Sequence, residues 1–272
     1  MRNKLKNIIN QKYYLLFFLL YLTVLLGLYF DEDNLGGAMH DATYHFRISE
    51  EFNKNFYQTF LKFGGSDDGM ASRNSPVFWI FLSFLNEYFS YDIIRFFNTF
   101  VIFAIAIIFH KTLLLKYKNI QPNILIILSS FIFLSPSLRT LAIWPYSLIW
   151  GLFFFILSIY YYLKFKINLN FNKSAIILLN VIIAAYIYPA FSVFFIFFFY
   201  EIIKKLKQKQ IIGLLLFSAI LAVPCIIYII TKDFFNSFDK AQGINVPLSK
   251  SLNVSNKILI ISSIILYFIL PI

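Results

Sequence analysis

The run His40-Asp41-Ala42-Thr43-Tyr44-His45-Phe46-Arg47 is the densest group of chemically capable side chains in the polar part of the chain. Written as a helix, it sets Asp41 and His45 four residues apart on one face, with Tyr44 beside them. A carboxylate there could take the proton of an attacking hydroxyl. The guanidinium of Arg47 or Arg73, a planar fork of donors, could hold a phosphate. A solvated amphipathic helix whose charges merely face water accounts for the same residues. The run belongs to a polar segment, Asp31 to Ser75, which holds eight of the chain's 13 carboxylates. Any chemistry at an aqueous face has most of its candidate groups there.

Other candidates carry two readings each. Asp67-Asp68, after Gly64-Gly65, reads as a solvated turn or as a metal or sugar contact. Arg139, near Trp144, and Arg73 could each clamp a lipid-linked phosphate, or could anchor the chain at a membrane interface. His40 and His45 lack a third ligand at zinc spacing, so metal ligands and cofactors stay open; a divalent ion is compatible with the sequence but not required by it. His110 borders a basic cluster and reads as an interface residue. Glu87 and Asp92 read as the wet ends of a short helix. Asn253-Val254-Ser255 is a glycosylation sequon by pattern alone. The single cysteine, Cys225, lies in an apolar run beside Pro224 and reads as packing.

The elements that must position these groups are oily. Hydrophobic residues make up 60% of the chain, with 35 Phe and 18 Tyr against 14% charged residues. That is more apolar surface than a soluble fold of this length buries. Apolar runs near the roughly 20 residues that cross a bilayer recur, without the alternation of an outer-membrane barrel. The expected fold is all-α, a polytopic transmembrane bundle forming a single domain over 1–272. The formal charge of +11 comes in short Lys/Arg clusters beside the apolar runs, which is membrane topology and not a nucleic-acid surface.

Arg2, Lys4, Lys6 and Lys12 precede the apolar run Tyr13 to Phe30, which lacks a small-residue cleavage site and reads as an uncleaved first helix with its N-terminus in the cytoplasm. Residues 31–92 then form a long outer loop. Within it, the 14-residue stretch Pro76 to Phe89 is too short for an ordinary span and reads as an interfacial helix. Ile93 to Leu115 becomes the second crossing. Further helices follow at Asn123 to Ser135, Pro145 to Leu163, Ser174 to Tyr188, Pro189 to Ile203, Ile211 to Ile230 and Lys257 to Ile272. The chain turns back at Tyr188-Pro189, and a short outer turn covers Ser135 to Thr140. This topology puts 14 of the 24 Lys/Arg on the cytoplasmic side. The last run stops at Leu270-Pro271-Ile272 without a tail, which reads as a truncated C-terminus. Abundant Lys, Asn, Ile and Phe point to an AT-rich bacterial genome, and so to the bacterial inner membrane.

A first helix, a long outer loop with an early Asp, an aromatic-rich helix and an Asn74-Ser75-Pro76-Val77-Phe78-Trp79 segment follow one another, and a further helix begins near Arg95. This order resembles the GT-C superfamily of membrane glycosyltransferases, especially its protein-mannosyltransferase and aminoarabinose-transferase branch. The likeness covers roughly residues 13 to 200. It implies a sugar transferred from a polyprenyl-phosphate donor to a glycan, lipid or protein acceptor, with Asp41 as the catalytic base. Tyr44, His45, Arg47, Arg73 and Arg139 would bind substrate. Two departures stand out: Ala42 replaces the Glu that usually follows the Asp, and Ser75 replaces the first of two prolines. Asp31-Glu32 supplies the literal Asp-Glu pair at the end of the first helix and is the second choice for the motif. The Ser135 to Tyr146 turn contains no acid, unlike the oligosaccharyltransferase metal site. A transporter or flippase of lipid-linked saccharides and a noncatalytic membrane scaffold are the competing classes.

Overall fold

A computed structural model describes residues 2–63 and 76–231, with side chains from 15 to 63 and from 76 to 224. The expectations on Gly64-Gly65, Asp67-Asp68, Arg73, Asn74-Ser75, the Cys225 side chain, the Asn253 sequon and the Lys257 to Ile272 run fall outside the described residues.

Every regular element among the described residues is helical. Helix α1 runs Arg2–Tyr29, α2 Ala38–Lys54, α3 Phe56–Lys62, α4 Val77–Tyr88 and α5 Tyr91–Lys116. The chain continues through α6 (Pro122–Leu134), α7 (Pro136–Ile143), α8 (Ser147–Phe165) and α9 (Phe171–Ile187). A 3-10 turn at Pro189–Ser192 leads into α10 (Val193–Ile203) and α11 (Gln208–Thr231). Helices α5 and α8 are long and apolar enough to cross a membrane, and α6 with α7 adds a third crossing if the two form one span bent by 59°. These two or three helices point to a membrane protein. Helix α4, at 12 residues, reaches only about 18 Å and falls short of the roughly 30 Å of hydrocarbon.

Prolines set two of the breaks. Ser135 and Tyr188 take extended backbone because each precedes a proline, which ends α6 and α9 respectively. The stretch from Ser135 to Thr140, expected to be a short turn, instead opens helix α7. Ser135 caps it, its hydroxyl accepting from the Leu138 N–H at 3.4 Å, and Pro136 takes the first helical position. The polar segment after α1 is also largely helical, as α2 and α3.

Three apolar clusters hold the helices together. The largest joins Phe17, Tyr21 and Val24 of α1 to Ile102, Ile105 and Ala106 of α5 and to α6, α7 and α8. A second seats α2 on α4 through Ile48, Phe52, Phe78, Trp79 and Leu82. The third packs α9 against α10 and the start of α11 through Val181, Phe198 and Leu214. Large apolar side chains also point outward, among them Phe18 and Leu26 of α1, Phe97 of α5 and Ile196 of α10. Outward-facing apolar side chains of this kind suit contact with lipid.

Candidate functional site

The C-terminus of α1 builds the site. The Glu32 N–H donates to the Gly27 carbonyl at 2.8 Å and the Asp31 N–H to the Leu28 carbonyl at 3.3 Å, which closes the helix as a Schellman turn. Asp31 occupies the left-handed position, with φ 51°, where glycine or asparagine is usual. Two consecutive carboxylates therefore leave the helix end, and each meets its own arginine.

Asp31 Oδ1 accepts from Arg95 Nη2 of α5 at 2.6 Å. Glu32 accepts from Arg139 of α7, with Nε 2.9 Å from Oε1 and Nη2 on the second oxygen. Arg139 also donates to the Thr23 hydroxyl at 2.8 Å and to the Thr23 carbonyl at 3.0 Å. Between the pairs lies Trp144. The Arg95 guanidinium stacks 3.7 Å from its ring centroid, and its indole N–H donates to the Glu32 carbonyl at 3.1 Å. Asn34 completes the clasp, with its amide 2.6 Å from Glu32 Oε1 and its backbone N–H 3.0 Å from the Thr140 hydroxyl. Gly27 leaves room for this pair, because a Cβ would meet the Glu32 carboxylate and lie 3.1 Å from Arg139 Nη2, so that the carboxylate would have to move.

The hydrogen bond from Arg139 holds the Glu32 carboxyl below its usual range, against a smaller upward push from burial. Asp33 undergoes some desolvation, but the backbone N–H groups of Met39, Gly37, Leu35 and Gly36 win and lower its pKa. Its Oδ2 lies 3.1 Å from the Met39 nitrogen, so Asp33 fastens the α1 end to the first turn of α2. One step deeper, Asn98 donates to the Leu141 carbonyl at 3.0 Å and the Ala142 carbonyl at 2.7 Å, and accepts from Trp150 Nε1 at 2.8 Å. Beside Arg95, a cavity of about 370 Å³ opens between α1 and α5, lined by Leu25, Leu28, Tyr29, Asp92, Arg95 and Phe96.

Asp41 lies exposed in the first turn of α2, where the positive end of the helix dipole favours a carboxylate. Tyr44 is half-buried and Arg47 exposed on the same helix. His45 turns inward. Its ring lies 5.2 Å from Trp79, 5.0 Å from Tyr146 and 5.8 Å from Phe78. Burial pushes its pKa down to about 4, against the opposing pull of the Pro145 carbonyl and the Asp41 charge. Among the described residues, neither His45 Nδ1 nor Trp79 Nε1 has a hydrogen-bond partner. No three His, Cys, Asp or Glu side chains among the described residues converge as a metal site.

The structure thus joins Arg139 to Glu32 and gathers Asp41, Tyr44, His45 and Arg47 on one helix. Sequence reasoning passed over Arg95, Asn98, Thr23 and Gly27 as members of the site. An arginine inside an apolar span is itself a functional signal, and Arg95 carried it. No protein-family model, curated protein or solved structure matches the chain.

Proposed function

We propose that the chain is a multi-pass membrane glycosyltransferase that moves a sugar from a polyprenyl-phosphate donor to an acceptor hydroxyl. The observation that carries this reading is the Arg95 guanidinium at the head of the α1/α5 cleft, beside the exposed Asp31. A lipid-linked phosphate needs such a combination, an apolar slot for the chain and a fixed cation at its polar end. Arg95 and Arg139 are each paired with a carboxylate, but it is Arg95 that lines the α1/α5 cleft, which favours it as the phosphate-binding arginine once a donor phosphate competes with Asp31. Arg47 and Arg73 then remain for the sugar or acceptor.

In this reading Asp41 is the base. The acceptor oxygen attacks the anomeric carbon as its proton passes to Asp41, and the bond from that carbon to the phosphate oxygen breaks. The polyprenyl phosphate leaves with the bonding electrons, its charge met by Arg95. The Lys/Arg clusters beside the apolar runs support a polytopic bundle with a cytoplasmic N-terminus and this site at the outer face, and the abundance of Lys, Asn, Ile and Phe supports a bacterial cell membrane. Sugar transfer from polyprenyl-phosphate donors into membranes carrying the protein tests it. Asp41→Asn is expected to abolish transfer, and Asp31→Asn to reduce it. Loss at Asp31 alone would move the base to that residue. Transfer surviving both changes would remove the mechanism. A donor moved across the membrane but never cleaved would make the protein a carrier.

A further inference from the structure

The other end of the bundle carries lysines. Lys116 closes α5, Lys164 and Lys166 end α8, and Lys204 and Lys205 follow α10. Between these three helices lies an apolar groove of about 580 Å³, inside the roughly 300–1,000 Å³ usual for small-molecule sites. Aromatic side chains bridge α8 and α10 along it, with Phe155 4.4 Å from Phe194 and Tyr162 5.8 Å from Phe198 by ring centroid.

The groove changes character along its length. Ala190, Val193 and Phe194, at the start of α10, make one end wholly apolar. Lys116, Tyr117 and Tyr162 line the other. There the Tyr162 hydroxyl donates to Glu201 at 3.0 Å, Lys204 Nζ lies 2.9 Å from the same carboxylate, and Lys166 Nζ lies 6.0 Å from the Tyr162 ring centroid. Glu201, the acid beside Tyr162 among the described residues, is already paired with Lys204. Lys116 is exposed and makes no ion pair among the described residues. The mouth therefore keeps a net positive charge above an apolar slot.

We propose that this groove holds one acyl chain of an anionic phospholipid from the surrounding membrane, with the headgroup phosphate against Lys116 and Lys166. An apolar slot alone would take any lipid tail, whereas lysines at its rim select the charge of the headgroup. The inference rests on the membrane nature of the chain and not on sugar transfer, so each can fail without the other.

The test is a lipid titration of the purified full chain by native mass spectrometry, with dioleoyl-phosphatidylglycerol, dioleoyl-phosphatidylcholine and free glycerol phosphate as probes. The anionic lipid is expected to bind in preference to the zwitterionic one, and glycerol phosphate not to bind. Both lysines are near the surface, so Lys116→Gln and Lys166→Gln should leave the fold intact, and each should weaken the anionic lipid about fivefold. Val193→Trp fills the slot and should weaken both lipids. Equal binding of the two lipids, or a preference that survives the lysine changes, overturns the proposal. So does lipid binding that Val193→Trp leaves untouched. Binding of glycerol phosphate as tight as that of the anionic lipid would reduce the site to a phosphate contact and overturn the acyl-chain part.

Discussion

Arg139 grips Glu32 in a two-pronged ion pair, Nε to Oε1 at 2.9 Å, across 107 residues of sequence. Both side chains are mostly shielded, at 17% and 21% exposed. Removing one partner of such a pair leaves the other charge poorly solvated, which costs on the order of 3 kcal/mol. Glu32→Gln should therefore lower the unfolding midpoint in detergent clearly. Arg139→Lys should be nearly as damaging, because an ammonium cannot span both carboxylate oxygens and reach Thr23 as well. An unchanged midpoint in both variants would mean that the clasp contributes nothing to stability.

Gly27 makes that approach feasible. In Gly27→Ala the new methyl meets the Glu32 carboxylate, and either the pair or the helix end must shift. The expected loss overlaps with that of Glu32→Gln, since both act on one contact. A double-mutant cycle should return a coupling of about 1 kcal/mol or more, where independent sites would add to within a few tenths. Simple additivity would sink this account of the glycine.

Much of the helical frame was legible because apolar runs and prolines are local signals. Tyr188-Pro189 announced its break, and Ser135-Pro136 held a cap and a first-turn proline that marked α7, although the short polar stretch around them read as a turn. Of the clasp, Asp31, Glu32 and Arg139 were legible by residue type but not by partner, and Arg95, Asn98, Thr23 and Gly27 were passed over. Nothing near Arg139 in sequence indicates Glu32, and nothing near Arg95 indicates Asp31, 64 residues away. Asp41 and His45 were legible as neighbours on a helix. That His45 points into an aromatic box was not, because the box comes from α4 and from the stretch between α7 and α8.

Asn98 gives a third expectation. Its amide donates to two carbonyls at the end of α7 and accepts from Trp150, so all its polar atoms are used inside an apolar bundle. Asn98→Leu strands the two carbonyls and the indole N–H, for a loss of about 2–3 kcal/mol. Asn98→Asp should be worse, because a carboxylate faces two carbonyl oxygens that it cannot satisfy. Comparing the unfolding of the two variants checks the order; a milder Asp variant would show that the site rearranges or admits water.

His45 should make stability depend on pH in one direction. In the unfolded chain its imidazole takes a proton near 6.5, and in the fold only near 4, because burial disfavours the charge. Between those values the unfolded chain binds more protons, so stability rises with pH across the window. It is complete above about 6.5 and lost as pH falls towards 4. At about 1.4 kcal/mol per pKa unit, the full loss is on the order of 3 kcal/mol. The lowered carboxyls of Glu32 and Asp33 act in the same direction but further down the scale. His45→Phe keeps an aromatic ring among Phe78, Trp79 and Tyr146 and removes the titration. Unfolding midpoints measured from about pH 7 to about pH 4 should fall steeply in the native chain and less steeply in the variant. Parallel curves would mean that the His45 imidazole is not the group whose burial resists the proton.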